Sequence, residues 1–194
     1  MKYYISDTHF DHQKIITYDN RPFRSAEEMN YAMIENWNQR VTSEDHVYVL
    51  GDFHWGKATK WVNVLKQLNG NIHLVRGNHD LRMPIPTEVR KYFVDVSDYK
   101  EIEDGENHIV LCHFPMPVFK NMYYGWLHFY GHVHNGTENN ITENFCRQVA
   151  DYYEFPPRAF NVGCMMPYMA YTLRTAKEII VGGTAYRQTA DIVD

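Results

Sequence analysis

The stretch Asn71-Ile72-His73-Leu74-Val75-Arg76-Gly77-Asn78-His79-Asp80 (NIHLVRGNHD) decides how this chain is read. Its first half is a short apolar run of the kind that forms a buried strand, and it breaks abruptly into an amide, an imidazole and a carboxylate. The same event recurs along the chain. Lys2 to Ser6 is an aromatic and β-branched run that ends in Asp7, Thr8 and His9, and His46 to Leu50 runs into Gly51-Asp52. Ile109 to Cys112 ends in His113, and Trp126 to Tyr130 ends in Gly131-His132-Val133-His134.

Between the first three strands lie helical signals. Ser25-Ala26-Glu27-Glu28 is a capping box, and Met29, Met33 and Trp37 follow on one helical face. Lys57 to Asn69 carries Trp61, Leu65 and Leu68 at helical spacing, and Gly70 is the expected C-terminal cap. Alternating strands and helices predict βαβ units and a largely parallel sheet, so the chain is of the α/β class. In the second half, Lys91 to Glu103 and Asn107 to Cys112 flank Asp104-Gly105-Glu106, which predicts a hairpin. Asn135 to Pro157 is polar and predicts a long surface excursion, and Ala159 to Val162 returns as a strand. Thr175-Ala176-Lys177-Glu178 is a second capping box, expected to open a short helix through Ile179 and Ile180.

Composition sets the outer bounds. A chain of 194 residues with 44% apolar content is expected to form one domain, residues 1–194, with no linker or repeat to divide it. The net charge of −5 argues against stable nucleic-acid binding by the bare protein, although bound cations reverse a field locally. Three widely spaced cysteines, no secretory signal and only short apolar runs predict a cytoplasmic protein without a membrane span.

In open α/β sheets, ligand sites form outside the carboxyl ends of the strands, so one cluster collects Asp7, His9, Asp52, Asn78, His79, Asp80, His113, His132 and His134. Imidazoles, carboxylates and an amide suit Mn²⁺, Fe, Zn²⁺, Co²⁺ or Ni²⁺ better than Ca²⁺ or a thiolate-rich zinc site. The candidates exceed what one ion needs. Two divalent ions roughly 3.5 to 4 Å apart, sharing a carboxylate, fit better, and such a pair stabilises attacking and leaving oxygens at phosphorus.

DTH (Asp7 to His9), GD (Gly51-Asp52), GNHD (Gly77 to Asp80), the lone His113 and GHVH (Gly131 to His134), in this order, resemble the signature blocks of the calcineurin-like metallophosphoesterases. The resemblance spans Lys2 to about Gly163 and implies a four-layer α/β/β/α sandwich with two mixed sheets between helices. It implies that Asp7, His9 and His134 hold one metal, that Asn78, His113 and His132 hold the other, and that Asp52 bridges them. His79 corresponds to the family's catalytic histidine, and Asp80 is expected to orient it or to organise its loop. The expected activity is hydrolysis of a phosphorylated small molecule or nucleotide by in-line attack of a metal-bridging hydroxide, with His79 as general acid and a phosphodiester favoured over a monoester. The protein Ser/Thr phosphatases of the superfamily have GDxxDRG where this chain has GDFHWGK, so their phosphate-gripping arginine is absent.

Taken singly, these blocks carry little information. GNHD alone is a polar turn, and GD is common at turns. His12 and His54 are candidates for phosphate contact at the cleft rim, with an exposed loop position as the alternative. Arg76 is a candidate anion contact, with a sheet-edge salt bridge favoured. Trp55, Tyr123, Tyr124 and Trp126 are candidates for an aromatic wall, at least half of them for core packing, and Cys112 is expected to be a small buried hydrophobe. A catalytically silent metal-binding scaffold of the same fold and a mononuclear histidine-rich binding protein are the competing functions.

Overall fold

A computed structural model describes residues 1–81 and 83–190 of the chain, so the last four residues of the expected 1–194 domain lie outside the described residues. In chain order the elements are β1 (Lys2–Ile5), α1 (Gln13–Tyr18), α2 (Ala26–Arg40), β2 (His46–Val49), α3 (Ala58–Leu65) and β3 (Asn71–Val75). They continue with α4 (Thr87–Arg90), β4 (Phe93–Ser97), β5 (Tyr99–Asp104), β6 (Asn107–Cys112), a 3₁₀ turn (Met122–Tyr124), β7 (Leu127–Tyr130), α5 (Thr137–Tyr152), β8 (Ala159–Asn161) and α6 (Ala176–Ala190).

Side chains on a strand alternate between faces, and that alternation sorts the core into layers. On β1 and β2, Tyr3, Ile5, Val47 and Val49 face the helices, where they meet Met29, Met33 and Trp37 of α2 and Trp61 and Leu65 of α3. Their neighbours Tyr4, Tyr48 and Leu50 face the other way and pack on Ile109, Leu111, Leu127 and Phe129 of the second sheet. Val110, Tyr130 and Ala159 leave that second sheet on its far side, where Cys146 of α5 and Met122 cover them. The order is therefore helix, sheet, sheet, helix, as expected. Only the second sheet is mixed as expected: the first, β1-β2-β3-β4, is wholly parallel, and the second, β5-β6-β7-β8, is antiparallel only at β5/β6.

Register fixes where the strands end. Ile5 lies opposite Val49, and Val49 opposite Leu74. In the second sheet Leu111 lies opposite Phe129. The two sheets are stitched at the same end by the parallel bridge Ser6↔Gly163, in which the Ser6 amide donates to Val162 O (2.9 Å) and the Cys164 amide to Ser6 O (2.9 Å). The polar triplets that follow the strands consequently emerge side by side.

Five local readings are corrected. The expected excursion 135–157 contains the 16-residue helix α5, whose buried positions are Asn139, Glu143, Cys146 and Ala150. Its inward stripe is half polar, which hides the helical period. Lys91 to Glu103 is two strands: β4 joins the first sheet and β5 opens the second. The helix expected from Lys57 to Asn69 ends at Leu65, and Gly70 lies in the turn before β3. The second capping box opens a 15-residue helix, with Glu178 N donating to Thr175 Oγ1 (3.4 Å) and Thr175 N to Glu178 Oε2 (2.8 Å). Ser25 caps α2 as expected, but Glu28 accepts from the Arg24 amide (2.8 Å). Among the described residues no helix is long and apolar enough to cross a membrane.

Candidate metal centre

The loops that leave the strands are held in place by their backbones. Asp7 N donates to Gly51 O (3.0 Å), His9 N to Asp52 O (2.9 Å) and Gly131 N to His113 O (2.9 Å). Five of the residues expected as ligands, Asp7, His9, Asp52, His132 and His134, have positive φ between 47° and 71°. Such a backbone costs of order 1 kcal/mol per residue and persists only where its surroundings over-determine it. Two glycines permit the crowding. A Cβ on Gly77 would lie 2.2 Å from Asp52 Oδ1, and one on Gly131 would lie 1.9 Å from Ser6 Oγ. Gly77 is therefore required for close approach, and its φ is not positive.

Two donor sets meet at Asp52. In the first, His134 Nε2 lies 3.4 Å from His9 Nε2 and 3.8 Å from Asp7 Oδ1, while His9 Nε2 lies 3.6 Å from Asp52 Oδ2. One ligand atom from each of these four residues falls within 4.8 Å of all the others. In the second, Asn78 Oδ1 lies 3.1 Å from His113 Nε2 and 2.9 Å from His132 Nδ1, and His113 Nε2 is 3.6 Å from Asp52 Oδ1. Two ligands held about 2.1 Å from a common ion are themselves separated by about 3 to 3.5 Å, so both sets have the spacing of a coordination sphere.

The tautomers support the same reading. His113 Nδ1 donates to Leu50 O (2.8 Å), which leaves a lone pair on Nε2 facing the carbonyl oxygen of Asn78. His134 Nδ1 donates to Asp19 Oδ1 (2.6 Å), which leaves the His134 Nε2 lone pair facing His9 and Asp7. Acceptors converging at these distances repel one another unless a proton or a metal cation lies between them, and an outer hydrogen bond that fixes the ring is the usual support of a ligating histidine. Burial, then the neighbouring Arg21 charge, holds His9 neutral. Burial also raises the Asp52 carboxyl, with the nearby Asp7 charge adding to the effect. Two buried carboxylates beside the neutral imidazole of His9 form a donor set that a divalent cation relieves.

Asp19 and Arg21 support the centre without belonging to any of the strand-end blocks. The Arg21 guanidinium is fully buried: Nη1 donates to Thr8 O (3.0 Å), Nη2 to Asp7 O (2.9 Å), and Nε and Nη2 to Asp19 Oδ2 (2.9 and 2.7 Å). Burial works against a charge on Asp19, yet hydrogen bonds from His134 and Arg21 overcome it and keep its carboxyl below the ordinary range. One ion pair thus orients His134 and clamps the DTH backbone. Asn161 does similar work, donating to His134 O (2.7 Å) and to Asn139 Oδ1 (2.9 Å). No motif announces these partners; Asp19-Asn20-Arg21-Pro22 is only a polar break after an apolar turn.

The remaining candidates separate. His79 is exposed at the mouth of the centre, 5.8 Å from the His9 ring and 5.0 Å from the Trp55 ring. Asp80 is buried, and its carboxylate accepts the amides of Gly77 (2.7 Å), Phe53 (2.9 Å) and Asp52 (3.0 Å), so it ties the GD loop to the GNHD loop. His12 lines a cavity with His79. His54 is corrected: it is buried rather than at the rim, with Asp11 Oδ2 3.5 Å away and the Trp61 ring at 5.7 Å. Arg76 makes the favoured salt bridge, to Asp98 Oδ1 at 2.6 Å. Tyr123 and Tyr124 are exposed, whereas Trp126 is half-buried and stacks on His108 at 4.9 Å. Cys112 is half-buried, more open than expected.

These positions can be set against known proteins. The chain is 40% identical over 134 residues to an uncharacterized protein of Methanocaldococcus jannaschii, covering 68% of each. It is 30% identical over 129 residues to the gene 66 protein of Mycobacterium phage D29, covering 58% of this chain and 63% of that one. A protein of unknown function from Aquifex aeolicus has a similar structure, with a TM-score of 0.70 at 27% identity over 93% of this chain and 98% of that one. The family model of the calcineurin-like phosphoesterase superfamily domain matches residues 1–175, a span that takes in all five strand-end blocks. On that match the chain belongs to the calcineurin-like phosphoesterase superfamily.

Proposed function

We propose that the protein is a metal-dependent phosphoesterase with two metal sites, and that phosphodiesters are its preferred substrates. The observation that carries this reading is the division of Asp52, whose Oδ2 faces the His9 set and whose Oδ1 faces the His113 set, both at 3.6 Å. Asp7, His9 and His134 would hold one ion, Asn78, His113 and His132 the other, with Asp52 shared between them. Bound there, two divalent ions supply an activated water near neutral pH and offset the charge of the phosphoryl group.

The chain's own groups supply the rest. His79 stands outside both donor sets and is exposed, so its imidazole N–H is free to approach the ester oxygen that departs. An alkoxide is a poor leaving group, and a positioned imidazolium contributes about 10²- to 10⁴-fold by protonating it. Asp80 acts at one remove, because its three amide bonds fix the loop that carries Asn78 and His79. The test is turnover of bis(p-nitrophenyl) phosphate and p-nitrophenyl phosphate by protein loaded with Mn²⁺, Zn²⁺ or Ni²⁺. Hydrolysis of both is expected, with the diester faster. Two bound ions with neither ester hydrolysed would instead favour the silent scaffold.

A further inference from the structure

Beside the proposed metal sites, on the His79 side, lies a cavity of about 310 Å³ lined by His79, Trp55, His12, Tyr18, Lys14 and His134. Apart from Lys14 and Ile15, its walls are aromatic and imidazole rings. The Trp55 ring lies flat on the His12 ring, with centroids 4.1 Å apart and planes 7° apart, while the His79 ring meets it at 5.0 Å and 56°. Tyr18 stands at 78° to His12, 6.5 Å away. Trp55 remains 43% exposed and Tyr18 71% exposed, which leaves apolar ring surface facing water in a concave site. Trp55 is also fixed in advance. Its amide donates to Phe10 O (2.8 Å), next to the Phe10↔His54 bridge, and His12 is buried beneath its ring. A ring ordered before binding loses little conformational entropy when it is stacked upon.

A second cavity, of about 560 Å³, shares His134 and Tyr18 but is more mixed, with Asp19, Asn20, Asn135 and Glu138 beside Val133 and Met165 on its walls. The two sides of the centre therefore differ in chemistry. The aromatic side is the one that carries His79.

We infer that this cavity binds the leaving group of the ester, and that the leaving group is a flat aromatic alcohol of nucleoside size. The inference rests on the phosphoesterase reading above and names its substrate class. A cavity near 300 Å³ is at the small end for ligand sites and takes one such group rather than an oligonucleotide. Ring stacking is the interaction that Trp55 and Tyr18 offer, and it is worth enough to set affinity.

The test uses phosphonates, which the protein cannot hydrolyse: methylphosphonate, phenylphosphonate and the adenosine phosphonate in which a methylene replaces the 5′ oxygen. Each is titrated calorimetrically into the metal-loaded protein. The two aromatic phosphonates are expected to bind about tenfold more tightly than methylphosphonate. Trp55→Ala should reduce that preference below about threefold, and Trp55→Phe, which keeps a π face, should retain it. Tighter binding of the adenosine compound than of phenylphosphonate would support a nucleoside, and equal binding would overturn the nucleoside size and leave a ring alone. Equal affinity for all three in the wild type, or an unchanged preference in Trp55→Ala, would overturn the inference while leaving the phosphoesterase reading intact. Failure of every phosphonate to bind, together with no hydrolysis of bis(p-nitrophenyl) phosphate or p-nitrophenyl phosphate, would overturn both.

Discussion

Asp19→Asn separates the two tasks that converge on the DxR segment. The substitution keeps the volume and one carbonyl oxygen, so His134 Nδ1 can still donate at the position now occupied by Asp19 Oδ1, 2.6 Å away. What it removes is charge. Arg21, fully buried, keeps the carbonyls of Asp7 and Thr8 but loses its only close carboxylate among the described residues. Breaking a buried ion pair on one side costs about 3 to 5 kcal/mol. The same change makes the outer partner of His134 neutral and the imidazole a weaker donor to an ion, an effect of about 10- to 100-fold in metal affinity. Urea unfolding reads the first quantity, and competition with a chromophoric chelator for Zn²⁺ reads the second. Both are expected to fall. If stability drops while zinc affinity stays within twofold of the wild type, Asp19 serves Arg21 alone, and the argument that it prepares His134 for a metal is wrong.

Other perturbations probe other parts of the account. His79→Ala should leave metal content unchanged and lower kcat by about 10²- to 10⁴-fold; loss of metal in parallel would mean that the residue supports the donor sets instead. Gly131→Ala puts a methyl 1.9 Å from Ser6 Oγ and 2.4 Å from Asp7 Oδ2, both buried, and should cost at least about 1 to 3 kcal/mol in urea unfolding and weaken metal binding; wild-type stability would contradict the close approach. His128, which belongs to neither donor set, is fully buried, donates from Nδ1 to Val110 O (3.1 Å) and accepts the Met116 amide at Nε2 (3.1 Å), so the folded state needs its neutral ring. Burial pushes its pKa from 6.5 down to about 4. The stabilisation is complete above pH 6.5 and is lost as the pH falls toward 4, because only the unfolded chain takes the proton; about 2 kcal/mol should be gone by pH 5. His128→Leu should be less stable at pH 7 but shallower in this pH range, and an identical slope would refute the assignment.

What the sequence disclosed and what it withheld follow from the range of the interactions. Asp7, His9, Asp52, Asn78, His113, His132 and His134 were legible because each follows a strand whose apolar residues mark its end, and parallel register brings those ends level. Asp19 and Arg21 were not, because their partners His134 and Thr8 are joined to them only by the fold. Helix α5 was hidden for a related reason. Its buried Glu143 is satisfied by Arg187 (2.6 Å) and by the Tyr130 hydroxyl (3.2 Å), and its buried Asn139 accepts from Asn161 at Oδ1 (2.9 Å), so polar residues occupy places that a hydrophobic period would fill. His54 misled in the opposite sense, as a histidine in a polar motif that the Phe10↔His54 bridge draws into the interior. Asp80 was legible as a member of GNHD, but its part as a loop staple required the three amides to be seen together.

The central claim is that one carboxylate, Asp52, is shared by two metal sites. Metal content after equilibrium dialysis against Mn²⁺ or Zn²⁺ tests it most directly, measured by elemental analysis on the wild type and on Asp52→Ala. The account predicts two ions per wild-type chain and a loss from both sites in the variant, leaving fewer than one ion per chain. One ion per wild-type chain at saturation, or two retained without Asp52, would contradict it.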